Sequence, residues 1–405
     1  MLKHFISGLT ISFLLTSGSV FATNGYFPHG WGMKSKGMAG VGVALPQDSI
    51  AASQNPAGMV IIGGRADFGI DVFAPDRHAE IAGNIGPGVD QSKDGNGDTN
   101  FLVPEIGYNH MLSDTMSVGV SVFGNGGMNT SYDPGFNMFN AGSGSESGIN
   151  LQQLFIAPTF AMKLNDLHAI GVSLNLAYQT FEAKGLDNFD QAGFTESVGS
   201  VTDNGEDSST GVGLSIGWNG AITPELNLAA AYRTKTTMSE FDKYKGLFAE
   251  QGKLDIPSMY GVGLTYKFSP KILVAFDITG IKYSDSVAVN NPLSKLNPGV
   301  VMLGSSDGPG FGWEDITIFK VGGTYKHSDQ WSLRAGWNHG DNPIPDGETF
   351  FNILAPGVIE DHITLGATWT LKNGMEVTFA YMYAPEVEVK GSNSIPPGGP
   401  PGLGG

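Results

Sequence analysis

Four side chains at one spacing suggest metal chemistry. Asp94, Asn96, Asp98 and Glu105 fall at positions 1, 3, 5 and 12 of a calcium-loop pattern. Oxygen ligands so spaced hold a hard cation when glycine at position 6 turns the loop. Thr99 stands at that place, and Glu105 falls in a segment that alternates like a strand. A polar external turn fits better, and no metal is expected. The eight histidines include no His-Glu-x-x-His pair. A hydrolase would need a Ser–His pair at a rim or in a lumen. Cysteine is absent, which removes disulfides, thiolate metal sites and cysteine nucleophiles together.

The bulk composition narrows the class. Lys+Arg is 22 and Asp+Glu is 39, a net charge of −17 in 405 residues. Nucleic-acid binding needs basic patches, so none is expected. Glycine takes 59 positions without a three-residue period, so it must serve turns, tight packing or wall bends. The 24 Phe, 12 Tyr and 6 Trp exclude global disorder.

Residues 1–22 read as a secretory signal peptide. A basic start at Lys3 precedes an apolar run from Phe5 to Leu15, and Val20-Phe21-Ala22 forms a small-residue cleavage site. Beyond it no run is long and apolar enough for a spanning helix. An exported soluble protein or a membrane β-barrel remains.

Alternation and loop lengths favour the barrel. Ile170, Val172, Leu174, Leu176 and Tyr178 alternate with Gly171, Ser173, Asn175, Ala177 and Gln179. Many such rows are uncharged and end in an aromatic residue, as a lipid-facing surface with an interfacial girdle requires. The pattern predicts strands over 64–73, 101–111, 115–123, 150–163, 168–184, 209–220, 225–237, 254–268, 271–283, 313–326, 331–340, 361–371 and 375–390. Short connections alternate strictly with long ones, as short periplasmic turns alternate with long external loops in outer-membrane barrels. A sandwich has no reason to sort its loops this way.

Thirteen strands is an odd count, where bacterial single-chain barrels are even. Residues 391–405 are rich in Pro and Gly and are not read as a closing strand. The expectation is that the sequence stops before its last strand. Residues 23–63 lack alternation and are too few to bury a core alone. Their aromatic and Met content predicts a plug inside the lumen, ahead of a barrel over 64–390.

Three stretches resemble a known family: Asn24-Gly25-Tyr26, Ser35-Lys36-Gly37-Met38-Ala39-Gly40 through Pro46, and Asn55-Pro56-Ala57-Gly58-Met59. So do Gly336-Trp337-Asn338, Asn342-Pro343-Ile344-Pro345-Asp346 and Asp361-His362-Ile363-Thr364-Leu365-Gly366. Together they resemble the FadL family of outer-membrane long-chain fatty acid and hydrocarbon transporters (OMPP1/FadL/TodX type). The resemblance implies an all-β, fourteen-stranded transmembrane antiparallel barrel with an N-terminal hatch. It implies sideways diffusion of a hydrophobic ligand through a wall opening. The expected partners are a long-chain fatty acid or hydrocarbon, outer-membrane lipid and lipopolysaccharide. No cofactor or enzyme activity is expected, and the chain is expected to be a monomer.

The site follows from what such a ligand needs. Met128, Phe136, Met138 and Phe139 in loop 124–149, with Leu186, Phe189 and Phe194 in loop 185–208, suggest an external groove or mutual loop packing. Phe27, Trp31 and Met33 of the plug are candidates for an inner apolar pocket. A carboxylate would need a cation, and inward Arg233, Lys320 and Arg334 are the candidates, the alternative being ordinary pairing with Asp277, Asp315 or water. The resemblance places Asn55-Pro56-Ala57 beside a bent third strand, where Asn55 would satisfy groups left unpaired. That strand is read as ending Phe123-Gly124-Asn125-Gly126-Gly127, with glycines permitting the bend. The competing functions are a general aqueous porin, which needs no plug, and an outer-membrane lipid hydrolase.

Overall fold

The computed structural model describes residues 23–83 and 90–392. The signal segment and most of the Pro/Gly tail lie outside the described residues. Thirteen antiparallel strands follow one another in a single order: β1 (Arg65–Phe73), β2 (Phe101–Ser113), β3 (Met116–Tyr132), β4 (Ser147–Lys163), β5 (His168–Lys184), β6 (Asp207–Ala221), β7 (Leu226–Arg233), β8 (Ser258–Ser269), β9 (Ile272–Lys282), β10 (Ile316–Lys326), β11 (Trp331–Gly340), β12 (Asp361–Thr370) and β13 (Glu376–Tyr383). A two-residue strand, Thr237–Met238, pairs with β6 beyond the end of β7 and brings the sheet to fourteen. The reading of one strand over 225–237 therefore needs correction, because the ladder stops at Arg233 and resumes at Thr237. β1 and β13 end the order, and no ladder joins them among the described residues. Arg65 of β1 still reaches Glu376 of β13 at 3.1 Å.

The period-2 pattern explains which face is which. Ile170, Val172, Leu174, Leu176 and Tyr178 stand exposed on β5, while Ser173, Asn175 and Gln179 are buried. The same inversion recurs on β6, β9, β11 and β12. An apolar outer face over a polar interior is stable only against hydrocarbon, so the sheet is a membrane barrel. Among the described residues, no helix is long and apolar enough to cross a membrane.

The interior is filled by residues 23–62. They form two short paired segments (Thr23–Asn24 with Phe27–Pro28), the one-turn helices Met33–Lys36 and Met59–Ile62, and tight 3₁₀ turns at Ala51–Ser53 and Pro56–Gly58. This hatch lies directly on the inner wall because the wall presents glycine to it. A Cβ at Gly171 of β5 would stand 2.4 Å from the Pro56 carbonyl carbon, and one at Gly366 of β12 would stand 3.0 Å from Gly37 Cα. Gly107, Gly217, Gly322 and Gly336 face hatch atoms in the same way. Much of the glycine excess is therefore a seat for the hatch.

Gly171→Val is expected to cost about 1–3 kcal/mol of hatch docking, the usual penalty for overpacking a tight contact. Hydrogen exchange of the full chain should show faster exchange at Ala57 and Gly58 with the sheet still protected. Unchanged exchange there would show that the hatch does not rest on this wall.

Candidate functional site

The site begins with a ladder that splits. β3 pairs with β4 along its whole length to Tyr132, but with β2 only as far as Ile106 opposite Val122. The register against β4 shifts between Gly124 and Gly126, so Asn125 is the extra residue of a bulge. Above it β2 stays with β1, and β3 goes on without it. The expected end of this strand at Phe123 is thus corrected: the glycines bend β3 but do not stop it, because β4 still holds it. External-loop residues rejoin it at Ser131, whose N–H donates to Gly95 O at 3.0 Å and whose carbonyl accepts from Gly97 at 3.1 Å.

Over residues 123–130 one edge of β3 therefore faces away from any strand. Backbone groups at membrane depth must still be paired. Trp31 Nε1 donates to Gly124 O at 2.8 Å, and the Gly127 N–H donates to Tyr26 O at 3.0 Å. Arg77 of the external loop donates to Asn129 O at 2.9 Å. Across the split, Glu105 of β2 is buried, accepts from the Gly32 N–H at 3.1 Å and pairs with Lys36 at 2.7 Å. Hatch residues 26–36 thus close the split from inside.

The resemblance assigned this role to Asn55, and the structure corrects it. Asn55 Nδ2 donates to Val43 O at 2.8 Å and to Trp218 O of β6 at 3.0 Å, while its Oδ1 accepts from the Ala57 N–H at 3.0 Å. It caps the turn that Pro56 begins, against the sixth strand and not the third. Ala57 is buried in the same contact. Phe123 lies at the lower edge of the split, and Gly126 lets the Tyr26 carbonyl approach, since a Cβ there would stand 2.5 Å from it.

Charge anchors the hatch on the same side. Lys36 also pairs with Asp71 of β1 at 3.1 Å, and Lys34 with Glu376 of β13 at 2.7 Å. Burial opposes the Lys36 charge, but Glu105 and Asp71 more than offset it and hold its ammonium above the ordinary range. Asp48 shows the opposite balance: burial, with Asp67 and Glu105 nearby, pushes its carboxyl up to about 7.

All three candidate cations face inward and are buried, as alternation predicted, but none forms an ion pair among the described residues. Asp277 instead accepts the Gly42 and Val43 N–H groups at 2.7 and 3.0 Å, and Asp315 pairs with Lys282. Arg334 Nη1 donates to Thr368 at 2.6 Å. Lys320 donates to His29 O at 2.9 Å. Arg233 donates to Asn125 Oδ1 and to Ser53 O, both at 2.6 Å, with its guanidinium over the faces of Trp31, Phe123 and Phe155. Asn125 in turn donates to Gln153, and Gln153 to Gln179. Arg233 and Lys320 line one cavity with Trp31, Ser53, Gln54 and Met259. Its free space is about 20 Å³, enough for roughly one water.

The other pocket candidates lie elsewhere. Phe27 is buried beneath the external loops, stacked on Tyr26 and near Tyr283. Met33 lies against Gly69 of β1. Met128 belongs to β3 and not to a loop, which corrects its assignment. Phe136, Met138, Phe139, Leu186 and Phe189 are not exposed: they are buried in a loop core where Phe139 stacks on Phe350 at 5.0 Å and Phe189 meets Phe351 at 5.1 Å. Phe194 is half-buried at its edge. Sequence reasoning missed Tyr26, Lys36, Ser53, Glu105, Asn125, Gln153 and Gln179. A lone acid in an inward row was the available signal for Glu105, and a polar residue among glycines the one for Asn125.

The hydrolase alternative has little to build on. Gly213-Leu214-Ser215-Ile216-Gly217 has the outline of a nucleophile elbow, as has Gly304-Ser305-Ser306-Asp307-Gly308. The first lies within β6, where Ser215 accepts from Asn175 at 2.8 Å, and the second within an external loop. Ser92 and His78 meet at 3.0 Å on an exposed hairpin, and neither lines the cavity.

A lipid-facing strand wall whose lumen is filled by the chain's own N-terminal segment defines a plugged outer-membrane β-barrel. The family described as outer membrane protein transport protein (OMPP1/FadL/TodX) matches residues 14–399, and the chain belongs to it. It is similar to the long-chain fatty acid transport protein of Escherichia coli K12, 22% identical over 391 residues that cover 85% of this chain and 84% of that protein. Among solved structures it is similar to the Ralstonia pickettii toluene transporter TbuX (TM-score 0.63, 19% identity, 88% of this chain and 94% of that one). It is also similar to a Pseudomonas aeruginosa FadL homologue (TM-score 0.61, 18% identity, 90% and 92%). The chain is an outer-membrane transporter of hydrophobic compounds.

Trp31→Phe removes the indole donor to Gly124 O while keeping an aromatic ring. It should destabilise the closed split by about 1–3 kcal/mol, the penalty for one buried unsatisfied carbonyl. The expected readout is faster exchange of the Gly126 and Gly127 amides. Asn55→Ala should leave those two amides unaffected and loosen Ala57 instead.

Proposed function

We propose that this barrel carries long-chain fatty acids, or closely related amphiphiles, passively from the cell exterior into the outer-membrane interior, leaving sideways between β2 and β3. The single observation that carries the reading is the edge of β3 over residues 123–130 that pairs with no strand and, among the described residues, is closed by hatch and loop groups. A permanent ladder would need no such closure, and an aqueous porin would need no hatch. External capture then falls to the loop surface around Phe194, over the aromatic core that holds the loops together. The acid is favoured over a pure hydrocarbon by Arg233 and Lys320, two buried cations on one cavity that pair with no carboxylate among the described residues. The chain acts as a monomer within lipid and lipopolysaccharide, and its role is transport, not catalysis.

The absence of native cysteine permits a clean test. A Cβ at Gly124 would stand 2.6 Å from Val103 Cγ1 of β2, so Val103→Cys with Gly124→Cys places two thiols across the split. Oxidation should abolish uptake of labelled oleate by cells while purified protein still binds it, and reduction should restore uptake. Normal uptake by the oxidised form would reject lateral exit and direct the route through the hatch to the periplasm. High single-channel conductance of the intact protein would support the porin reading instead.

A further inference from the structure

We infer that the outer, lipid-facing wall carries a groove for one phospholipid, with the headgroup at the periplasmic edge and an acyl chain laid across β4 to β7. The groove is separate from the lumen and from the split between β2 and β3. Its free space is about 550 Å³, within the roughly 300–1,000 Å³ of ordinary ligand pockets. Two register rows line it. The lower runs through Met162, Ile170, Trp218 and Ala230, cross-strand neighbours on β4, β5, β6 and β7. The upper runs from Phe160 on β4 to Tyr232 on β7. Met162 stands beside the periplasmic turn that follows β4, and Tyr232 beside the far end of β7. The groove therefore climbs obliquely from the membrane edge into the apolar band.

The wall is concave here for a local reason. Gly220 has no side chain, and the Trp218 indole leans over it: a Cβ there would stand 2.4 Å from Trp218 Cζ2. The ring stacks on His168, with centroids 5.8 Å apart. Its bulk thus lies toward the periplasmic edge, and the neighbour across on β7 is Ala230, too small to refill the space. The backbone of Gly171, Gly217 and Ala231 forms the floor. Against bulk lipid such a surface gains nothing from apolar burial, because acyl tails are as apolar as the wall. A flat wall touches a chain on one side, whereas a groove touches it on three. The added dispersion contacts separate a held chain from a passing one. The periplasmic end supplies the polar match. His168 and Trp218 bring ring N–H groups to the interface, where amphipathic rings are favoured. Asp166 is exposed in the turn just below. A zwitterionic headgroup offers its phosphate to the donors and its ammonium to the carboxylate. That edge lies in the phospholipid leaflet, and lipopolysaccharide occupies the opposite one.

The test uses the full chain, extracted from outer membranes in mild detergent and weighed by native mass spectrometry. The wild type should keep one phospholipid per barrel under conditions that strip the rest. Ala230→Trp fills the groove from the lipid face and should lower retention about tenfold, as loss of most side contacts to one chain implies. Gly220→Ala should lower it too, by driving the indole back into the groove. Ala367→Trp, between exposed Leu365 and Trp369 on β12, adds the same bulk elsewhere on the lipid face and should leave retention unchanged. The unsubstituted chain gives a second measurement. In vesicles, phosphatidylethanolamine with a photoreactive group in mid-chain should label the peptides of Phe160–Met162 and Ala230–Tyr232 well above those of β11 and β12. No retained lipid, equal retention by Ala230→Trp, or uniform labelling around the wall would each overturn the site. So would lipopolysaccharide or a free fatty acid as the retained species, or a dimer that Ala230→Trp dissociates, which would give the groove to a second copy. None of these outcomes touches lateral exit between β2 and β3, which the cysteine pair tests by itself.

Discussion

Every backbone group in a membrane wall must find a partner inside the protein, and β3 breaks that rule from within. Its bulge at Asn125 draws residues 123–130 away from β2. In a soluble sheet, water would take the freed groups. Here each unpaired group would cost several kcal/mol in hydrocarbon. The hatch answers this directly: a carbonyl from Tyr26 and an indole from Trp31 complete the broken edge. The opening and its closure are one construction, and the hatch belongs to the wall as much as to the lumen.

The hatch is held without a core of its own. Its forty-odd residues sit against inward glycines, so backbone meets backbone at distances a side chain would forbid. The ion pairs of Lys34 and Lys36 reach β1, β2 and β13, the side of the barrel where the split lies and where the first and last strands face each other. Asp277 takes two hatch N–H groups on the opposite side. Beside the burial of Tyr26, Phe27, Met38, Val41 and Met59, hydrogen bonds and charge therefore hold the hatch in place. Contacts of that kind can be exchanged for equivalent ones with a ligand or water.

The strands were legible because lipid outside and polar filling inside impose a strict period of two. The predicted span 168–184 matches β5 to the residue, and 331–340 matches β11. The bulge was illegible in detail because glycines leave no side chains to alternate, so Gly124 to Gly127 read as a strand end. Only pairing with β4 shows that the strand continues. The inward direction of Arg233, Lys320 and Arg334 could be read from period alone. Their partners could not, because which part of the hatch faces which strand is a rotation inside the barrel that no local pattern encodes. Asn55 was misplaced for that reason. Phe136, Phe139 and Phe189 were ambiguous because an apolar loop residue looks the same whether it meets a ligand or another loop.

A passive carrier has to release what it binds, and the partners of Arg233 bear on this. Were an Asp or Glu placed beside it, the pair would be tight, and a ligand carboxylate would have to break it at a cost of several kcal/mol. Were the guanidinium left bare, desolvation would destabilise the barrel and a bound acid would be held too firmly to leave. An amide oxygen, a backbone carbonyl and three aromatic faces lie between these extremes. They satisfy the charge well enough to fold, yet a carboxylate improves on them only modestly, since it gives up its own hydration to do so.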